Sequence, residues 1–377
     1  MTAPEVGETM DGMSELVTLQ EIFAAQRRIA GVAVRTRLHR VSPERLRRAG
    51  QADLPFDLYI KAESEQPVGS FKLRGAYNRI AQLSTGELAR GVITYSSGNH
   101  AQGVAYAARA LGAKAVVVMP ENASAIKRKA TAALGAEIVL VGPASSERRA
   151  KAEELARTHG YTMVPPYDDP AIVAGQGTCG LEILEQLGII AACDAEKRGA
   201  GGGEQRNATK LGANAYEPNA RGGLVVLSPV SGGGLLGGIA TAVKLAAPQG
   251  SAIQVWGAEP ELAADAKESF ESKRLVEWPV AMTTRTSCDG LRTQSLGALN
   301  FQHILRFVDG IVAIAEEEIL AATRMMPAAA GLVAEPSGAI ALAAALFHHT
   351  QLPRCRTMVA VLSGGNIDPE LQRQLDA

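Results

Sequence analysis

Between Val92 and Thr158 short apolar runs alternate with stretches of helical spacing, and this alternation restricts the fold more than any other feature of the chain. Val92–Tyr95, Ala115–Met119 and Glu137–Val141 read as strands, while Ala101–Leu111, Ser124–Leu134 and Ser146–Thr158 read as helices. Strand, helix and strand in units of this length require crossover connections, and therefore a parallel sheet covered on both faces. The pattern marks out a compact unit over residues 91–168. Downstream, helices are expected over Gly175–Leu187, Leu235–Ala246, Leu262–Ser272, Glu316–Met326 and Ala339–Phe347, and strands over Leu224–Leu227, Ile253–Ala258 and Met358–Leu362. Upstream, Leu16–Ile29 has helical spacing and Asp57–Ala62 reads as a strand.

The periodicity fails twice. Residues 1–15 carry several acids and no basic stretch followed by an apolar core, so they read as a flexible tail and not as a secretory signal. Residues 193–223 are rich in Gly, Ala and Asn and include Gly201-Gly202-Gly203; a structureless run this long reads as a surface insertion. The remaining length of the 377-residue chain fits two domains at roughly 100–200 residues each.

Charge narrows the partners. The formal net charge is −1, and no Lys/Arg run is interleaved with aromatics, so neither nucleic acid nor a membrane surface is indicated. No stretch approaches the ~18 uninterrupted apolar residues of a membrane span. Cys179, Cys193, Cys288 and Cys355 lie far apart without a C-x-x-C pair, which argues against a disulfide framework or a zinc knuckle. A cytoplasmic protein acting on small molecules is the expectation.

Four stretches carry candidate chemistry. In Gln66-Pro67-Val68-Gly69-Ser70-Phe71-Lys72-Leu73-Arg74-Gly75-Ala76 a lysine follows the Asp57–Ala62 strand and a Pro/Gly turn, at the start of a helix. A lysine held rigidly and partly desolvated sheds its proton near neutral pH and can carry a cofactor aldehyde as a Schiff base; an ordinary lysine after a turn is the alternative. Ser96-Ser97-Gly98-Asn99-His100 lies between a strand and a helix, where free backbone N–H groups can hold a carboxylate or Ser and Asn can simply cap the helix. Ser231-Gly232-Gly233-Gly234-Leu235 again joins strand to helix, and three glycines let the backbone wrap a phosphate. It matches neither G-x-G-x-x-G nor a P-loop, which lowers dinucleotide and nucleoside triphosphate readings. Ser363, in Leu362-Ser363-Gly364-Gly365-Asn366 at the end of the last strand, offers a hydroxyl to a ring nitrogen, or is one more polar loop residue. One Schiff-base lysine, one carboxylate turn, one phosphate cradle and one hydroxyl are together the parts for pyridoxal 5'-phosphate and an amino acid.

In these stretches the chain resembles the fold-type II pyridoxal phosphate enzymes of the threonine dehydratase and serine racemase group. The resemblance runs from about Leu16 to Asp368 apart from the insertion, and rests on QPVGSFKLRGA, SSGNHAQG, AGQGT, SGGGLLGG and LSGGN-D in one order. It implies two open, twisted, mostly parallel sheets flanked by helices. These would form a small domain over 91–168 and a large cofactor-binding domain built from 16–90 and 169–377. It implies Lys72 as Schiff-base lysine and base, Phe71 against the cofactor ring, Asn99 at its hydroxyl, Ser231 to Leu235 at the phosphate and Ser363 at the pyridine nitrogen. Ser96, Ser97 and His100 would bind the substrate carboxylate with help from Arg148, and Ser97 matches the second acid/base of racemases. Glu259, Ala263 and Asp265 match a cation site for Mg2+ or Ca2+, two acids and a carbonyl completed by water; a solvated acidic helix start is the other reading.

The chain departs from the family pattern in two places. Thr36-Arg37-Leu38 stands where the family usually has Thr-Pro-Leu, and Ser231 where it often has a fourth glycine. The expected activity is loss of ammonia from L-threonine, L-serine or a related β-hydroxy amino acid. A racemase using Lys72 and Ser97 and a non-catalytic cofactor-binding protein are the alternatives. The resemblance also implies a homodimer or homotetramer, and no end-product feedback, since no regulatory segment follows Ala377.

Overall fold

The valine- and isoleucine-rich runs form ten strands among the residues described by a computed structural model, 16–96, 98–121, 123, 125–142, 145–192 and 223–376. In chain order these are β1 (Leu38–Arg40), β2 (Asp57–Ala62), β3 (Val92–Tyr95), β4 (Ala115–Pro120), β5 (Glu137–Val141), β6 (Thr162–Met163), β7 (Gly223–Pro229), β8 (Ile253–Pro260), β9 (Gly310–Ile314) and β10 (Cys355–Leu362). They divide into a sheet of order β1-β2-β10-β7-β8-β9 and a sheet of order β5-β4-β3-β6. Only β1 against β2 is antiparallel. The fold is therefore α/β with two mostly parallel sheets, and all four strands of the smaller one come from residues 92–163. The tail 1–15, Ser97 and positions 193–222 of the expected insertion lie outside the described residues; Gly223, its last residue, is the first of β7. Cys179, Cys288 and Cys355 are free thiols.

Parallel strands buried on both faces need helices over them. In the larger sheet Leu58, Ile60, Val225, Leu227, Met358 and Ala360 pack against the helix Pro336–Phe347, and Val226 and Val361 against the helix Gly234–Ala246. The helix Pro170–Gln186 starts five residues before the expected Gly175 because the Asp169 carboxylate caps the amides of Ala171 and Ile172, with Pro170 preorganising the first turn. Its glycines explain the AGQGT run. A Cβ on Gly175 would lie 2.6 Å from Gly75 Cα in the helix Lys72–Ile80, and one on Gly177 would lie 3.0 Å from the carbonyl of Gly238. Three helices thus close at backbone contact.

Parallel register puts strand ends, and the loops after them, along one edge of each sheet, where α/β folds bind ligands. In β10, Leu362 lies opposite Ala62 of β2, so Ser363 falls beside the start of the lysine frame. Phe71 N–H donates to the Ser363 carbonyl at 3.1 Å, Gly365 N–H donates to the Gly69 carbonyl at 2.9 Å, and Ser70 bridges Gly364. Two site elements far apart in sequence are joined by backbone hydrogen bonds.

Below Lys72 lies a buried ionic cluster. Arg74 donates to Glu63 (Nε to Oε2, 2.7 Å) and Glu182 (Nη1 to Oε1, 2.6 Å); Lys61 donates to Glu182 Oε2 at 2.5 Å and Thr36 to Glu63 at 2.6 Å. All these side chains are buried. Each buried charge is matched, as burial demands, and the cluster ties β2, the lysine helix and the Pro170–Gln186 helix together. The departure at Thr36-Arg37-Leu38 finds its place here: Thr36 joins the cluster, while Arg37 pairs with Glu65 at the surface.

Candidate active site

The ends of β3, β7 and β10 open on one cavity of about 780 Å3. Phe71, Lys72, Ser96, Asn99, His100 and Arg148 line it, as do all of Ser231 to Leu235, and Ser363. Glu259, Ala263 and Asp265 stand apart from it. Every described residue singled out for cofactor or substrate thus reaches one space, from segments more than 250 residues apart.

Lys72 is the first residue of its helix, with no side-chain cap before it. Its Nζ donates to the Pro166 carbonyl at 2.7 Å and lies 5.0 Å from the centre of the Phe71 ring. Its hydrogen-bond acceptor is thus a carbonyl and not a carboxylate. Burial pushes the amine down to about 8, within reach of a free base near neutral pH.

The helix after β3, Asn99–Ala110, starts at Gly98 and has no side-chain cap hydrogen bond, so among the described residues the capping alternative is not realised. Its first-turn amides stay free for an anion. Asn99 is fixed at both ends: Nδ2 donates to Glu335 Oε1 at 2.6 Å and Oδ1 accepts from Asn366 Nδ2 at 2.7 Å. Burial and then the neighbouring Lys72 charge push the His100 imidazole down to about 3; it is neutral, and its Nε2–H donates to the Val164 carbonyl at 3.0 Å.

The glycine loop is shaped to leave room. Ser231 has φ +54, a left-handed conformation that costs a non-glycine residue about 1–2 kcal/mol and accounts for glycine being common there. Its hydroxyl donates to the Gly290 carbonyl at 2.9 Å, so this loop meets an anion with backbone amides. The Tyr167 ring lies flat on Gly232, where a Cβ would come within 2.5 Å of it. The helix dipole of Gly234–Ala246 adds a positive end at the same place. Ser363 is buried at the end of β10, its hydroxyl 3.4 Å from the Ser337 carbonyl.

The cations around the cavity are matched, with one exception. Lys127 pairs with Asp289, Arg149 with Glu153, and Arg292 donates to the Thr286 carbonyl at 2.6 Å. Arg148 Nε is buried without a partner among the described residues, and burial pushes this guanidinium below its ordinary value.

Away from the cavity, Glu259 ends β8 and Asp265 begins a helix, with Ala263 in the turn between. Among the described residues both carboxylate oxygens of Asp265 are buried without a partner. Burial and Asp265 push Glu259 well above the usual carboxylate range, and burial pushes Asp265 up to about 7. Among the described residues no three His, Cys, Asp or Glu side chains cluster for a metal, so an ion here needs a carbonyl and water as well.

Tyr167, Glu335 and the Pro166 carbonyl escape the sequence reading. Pro165-Pro166-Tyr167-Asp168-Asp169 and Glu335 lie outside the motifs that carry candidate chemistry. Asn366 lies inside a quoted motif, yet its partner Asn99 is 267 positions away.

A half-buried lysine beside an aromatic ring, a loop that tolerates no Cβ and an uncapped helix start fit pyridoxal phosphate and an amino acid. The family model described as "Pyridoxal-phosphate dependent enzyme" matches residues 35–364, and the chain belongs to that family. Its architecture is that of the fold-type II members. The chain is 34% identical over 315 residues to the L-threo-3-hydroxyaspartate ammonia-lyase of Saccharomyces cerevisiae, covering 84% of each. Among solved structures it is similar to the T.th. threonine deaminase, at 40% identity and TM-score 0.75, covering 93% of this chain and 99% of that one. The serine racemase of Dictyostelium discoideum matches at 31% identity, TM-score 0.75, over 93% and 99%.

Gly232→Ala is expected to weaken pyridoxal phosphate binding at least tenfold, since the new methyl must displace the Tyr167 ring, an overpacking that costs about 1–3 kcal/mol. Titration of cofactor-free protein followed by absorbance checks it; unchanged affinity would remove the loop from the cofactor site.

Proposed function

We propose that the protein converts a β-hydroxy amino acid, L-threonine, L-serine or a close relative, into a 2-keto acid and ammonia. The observation that carries this reading is the half-buried Lys72 side chain, its amine pushed down to about 8 and hydrogen-bonded to a carbonyl between a phosphate cradle and a carboxylate turn. Pyridoxal phosphate, when bound, draws electron density from the substrate α-carbon and so acidifies its proton. Lys72 would hold the cofactor aldehyde and take that α-proton. Amides at the start of the Asn99–Ala110 helix would bind the α-carboxylate beside a neutral His100, and Phe71 would pack on the ring. Ser231 to Leu235 would hold the phosphate, Asn99 the ring hydroxyl, and Ser363 would offer the ring nitrogen a neutral hydroxyl. A neutral partner leaves that nitrogen unprotonated and tempers the electron sink, which favours loss of the β-hydroxyl. Over the whole reaction the water lost from Cα–H and Cβ–OH is returned when the nitrogen is hydrolysed off as ammonia.

Glu259, the Ala263 carbonyl and Asp265 would hold a divalent cation, Mg2+ or Ca2+; the two unpartnered Asp265 oxygens support this. We assign 91–168 to a small domain and 16–90 with 169–377 to a large one. Among the described residues no helix is long and apolar enough to cross a membrane.

Arg148 favours a narrower reading. Arg148 on the cavity wall, its Nε buried without a partner among the described residues, suits a substrate with a second carboxylate, such as 3-hydroxyaspartate. Incubation with L-serine, L-threonine and L-threo-3-hydroxyaspartate, reading keto acid and enantiomer together, tests both readings. Keto acid from at least one substrate is expected, and enantiomer interconversion without keto acid would mean a racemase. Arg148→Ala is expected to lower kcat/KM on the dicarboxylate about tenfold or more beyond any loss on L-threonine. An equal loss on both would place Arg148 at the α-carboxylate instead.

A further inference from the structure

The segment between β6 and the helix Pro170–Gln186 touches three parts of the site. The Val164 carbonyl accepts from His100 and the Pro166 carbonyl from Lys72; the Tyr167 ring lies on Gly232. Asp168 reaches further. Its Oδ2 accepts from Ala298 N–H at 3.1 Å, and its Oδ1 from the N–H groups of Leu299 at 3.1 Å and Asn300 at 3.3 Å. It therefore caps the helix Ala298–Phe307, which has no cap from its own chain segment. The same helix start holds the glycine loop: Gly297 N–H and Asn300 Nδ2 both donate to the Gly232 carbonyl, at 3.1 and 2.7 Å. With that carbonyl held by the helix start and Gly233 N–H donating to the Val230 carbonyl at 3.1 Å, the amides of Gly232, Gly234 and Leu235 are the ones the loop can turn to an anion. A continuous set of contacts thus runs from the loop through the helix start to Asp168, and two residues back along the chain to the acceptor of the Lys72 amine.

We propose that Asp168 is a positioning residue that couples the phosphate cradle to Lys72. This rests on the reading of these two elements as the cofactor site. A carboxylate is suited to the task because the helix start presents three N–H donors and a positive dipole end, which fixes its orientation without a second partner. Asp169, next in the chain, anchors the strap to the Pro170–Gln186 helix and pairs with Arg79, so the segment is held from behind as well. Loss of the cap would free the Gly232 carbonyl and let the Pro166 carbonyl drift from the lysine.

The test uses the full chain stripped of cofactor. Inorganic phosphate is titrated calorimetrically. Separately, pyridoxal without its phosphate is trapped on Lys72 with borohydride over a range of pH and the adduct counted by mass spectrometry; His100 and Tyr167 are the titratable neighbours and stay in place. Asp168→Ala is expected to weaken phosphate about five- to tenfold, the size of a lost cap, and to move the labelling midpoint further below that of an ordinary lysine, because losing the carbonyl acceptor disfavours the charged amine. Asp168→Asn, which still caps, restores both. Gly297→Ala, whose methyl would lie 2.3 Å from Asp168 Oδ1, pushes the carboxylate off the helix start and so acts like Asp168→Ala while leaving residue 168 an aspartate. Should Asp168→Ala not fold, that variant carries the test. A lowered melting temperature with phosphate affinity and labelling midpoint unchanged overturns the coupling and leaves Asp168 a structural cap. A wild-type chain that takes neither phosphate nor pyridoxal overturns the cofactor reading, and the coupling with it.

Discussion

Lys72→Ala is expected to lose keto acid production by about 10²–10⁴-fold or more, since it removes both the covalent anchor and the base. It should also lose borohydride-reducible attachment of pyridoxal phosphate, while its melting temperature in the cofactor-free state stays near or above that of the wild type. A variant that still formed a reducible yellow adduct would show that another amine carries the cofactor. The same lysine should leave a mark on stability. Its amine is pushed down to about 8 by burial against an ordinary 10.5. Between those values the unfolded chain holds a proton here that the folded chain does not, so folding gains stability as pH rises through the window. Below about 8 the folded protein carries the buried charge, and the penalty is fully present, about 3 kcal/mol. Denaturant unfolding of the cofactor-free protein at pH 7.5 and pH 10 should show this gain, and Lys72→Met should abolish it.

Removing divalent cations has the second large expected effect. Asp265 is pushed up to about 7 and Glu259 is raised beyond the usual range, both chiefly by burial. A carboxyl whose folded value is raised stabilises the fold below its unfolded value, near 4, and that contribution is lost as pH rises through the folded value. With chelator present, the melting temperature should fall between pH 5 and pH 8. Mg2+ or Ca2+ should cancel the fall by replacing the missing protons, a difference of about 3–5 kcal/mol if the bare pair behaves as an uncompensated buried charge. Asp265→Asn should melt at the same temperature with or without cation. A wild-type melting temperature indifferent to chelator at pH 8 would show that these acids hold no ion.

How much of this was legible in the chain differs from element to element. β2, β3 and β5 follow their apolar runs to the residue, because a short run carrying β-branched or aromatic residues and bounded by turns marks a strand even where, as in β5, it is only half-buried. β1, β9 and the helix Ala298–Phe307 were not read. β1 is three residues long with a single apolar side chain, and the other two draw their stability from packing against elements distant in sequence. The start of Pro170–Gln186 was misplaced because a cap signal, Asp169-Pro170, was outweighed by the periodicity that follows it. The four site motifs were readable since each depends on local backbone chemistry: a turn before a lysine, glycines before a helix, small polar residues after a strand. Glu335 and Tyr167 were not, because an isolated Glu or Tyr has no local signature.

The chain by itself determined the fold class and the cofactor chemistry, since strand–helix alternation and glycine or serine turns express short-range steric and hydrogen-bonding preferences that neighbouring residues set. Only the tertiary structure decided what those turns face. Burial, which lowers the Lys72 amine, leaves Arg148 unmatched and strands the Asp265 carboxylate, is a property of atoms brought together from remote segments. Pairing of β10 beside β2 sets Ser363 next to the lysine frame, and the Val164–Asp169 strap joins lysine to glycine loop, through contacts whose energies depend on distances the linear order of residues does not contain.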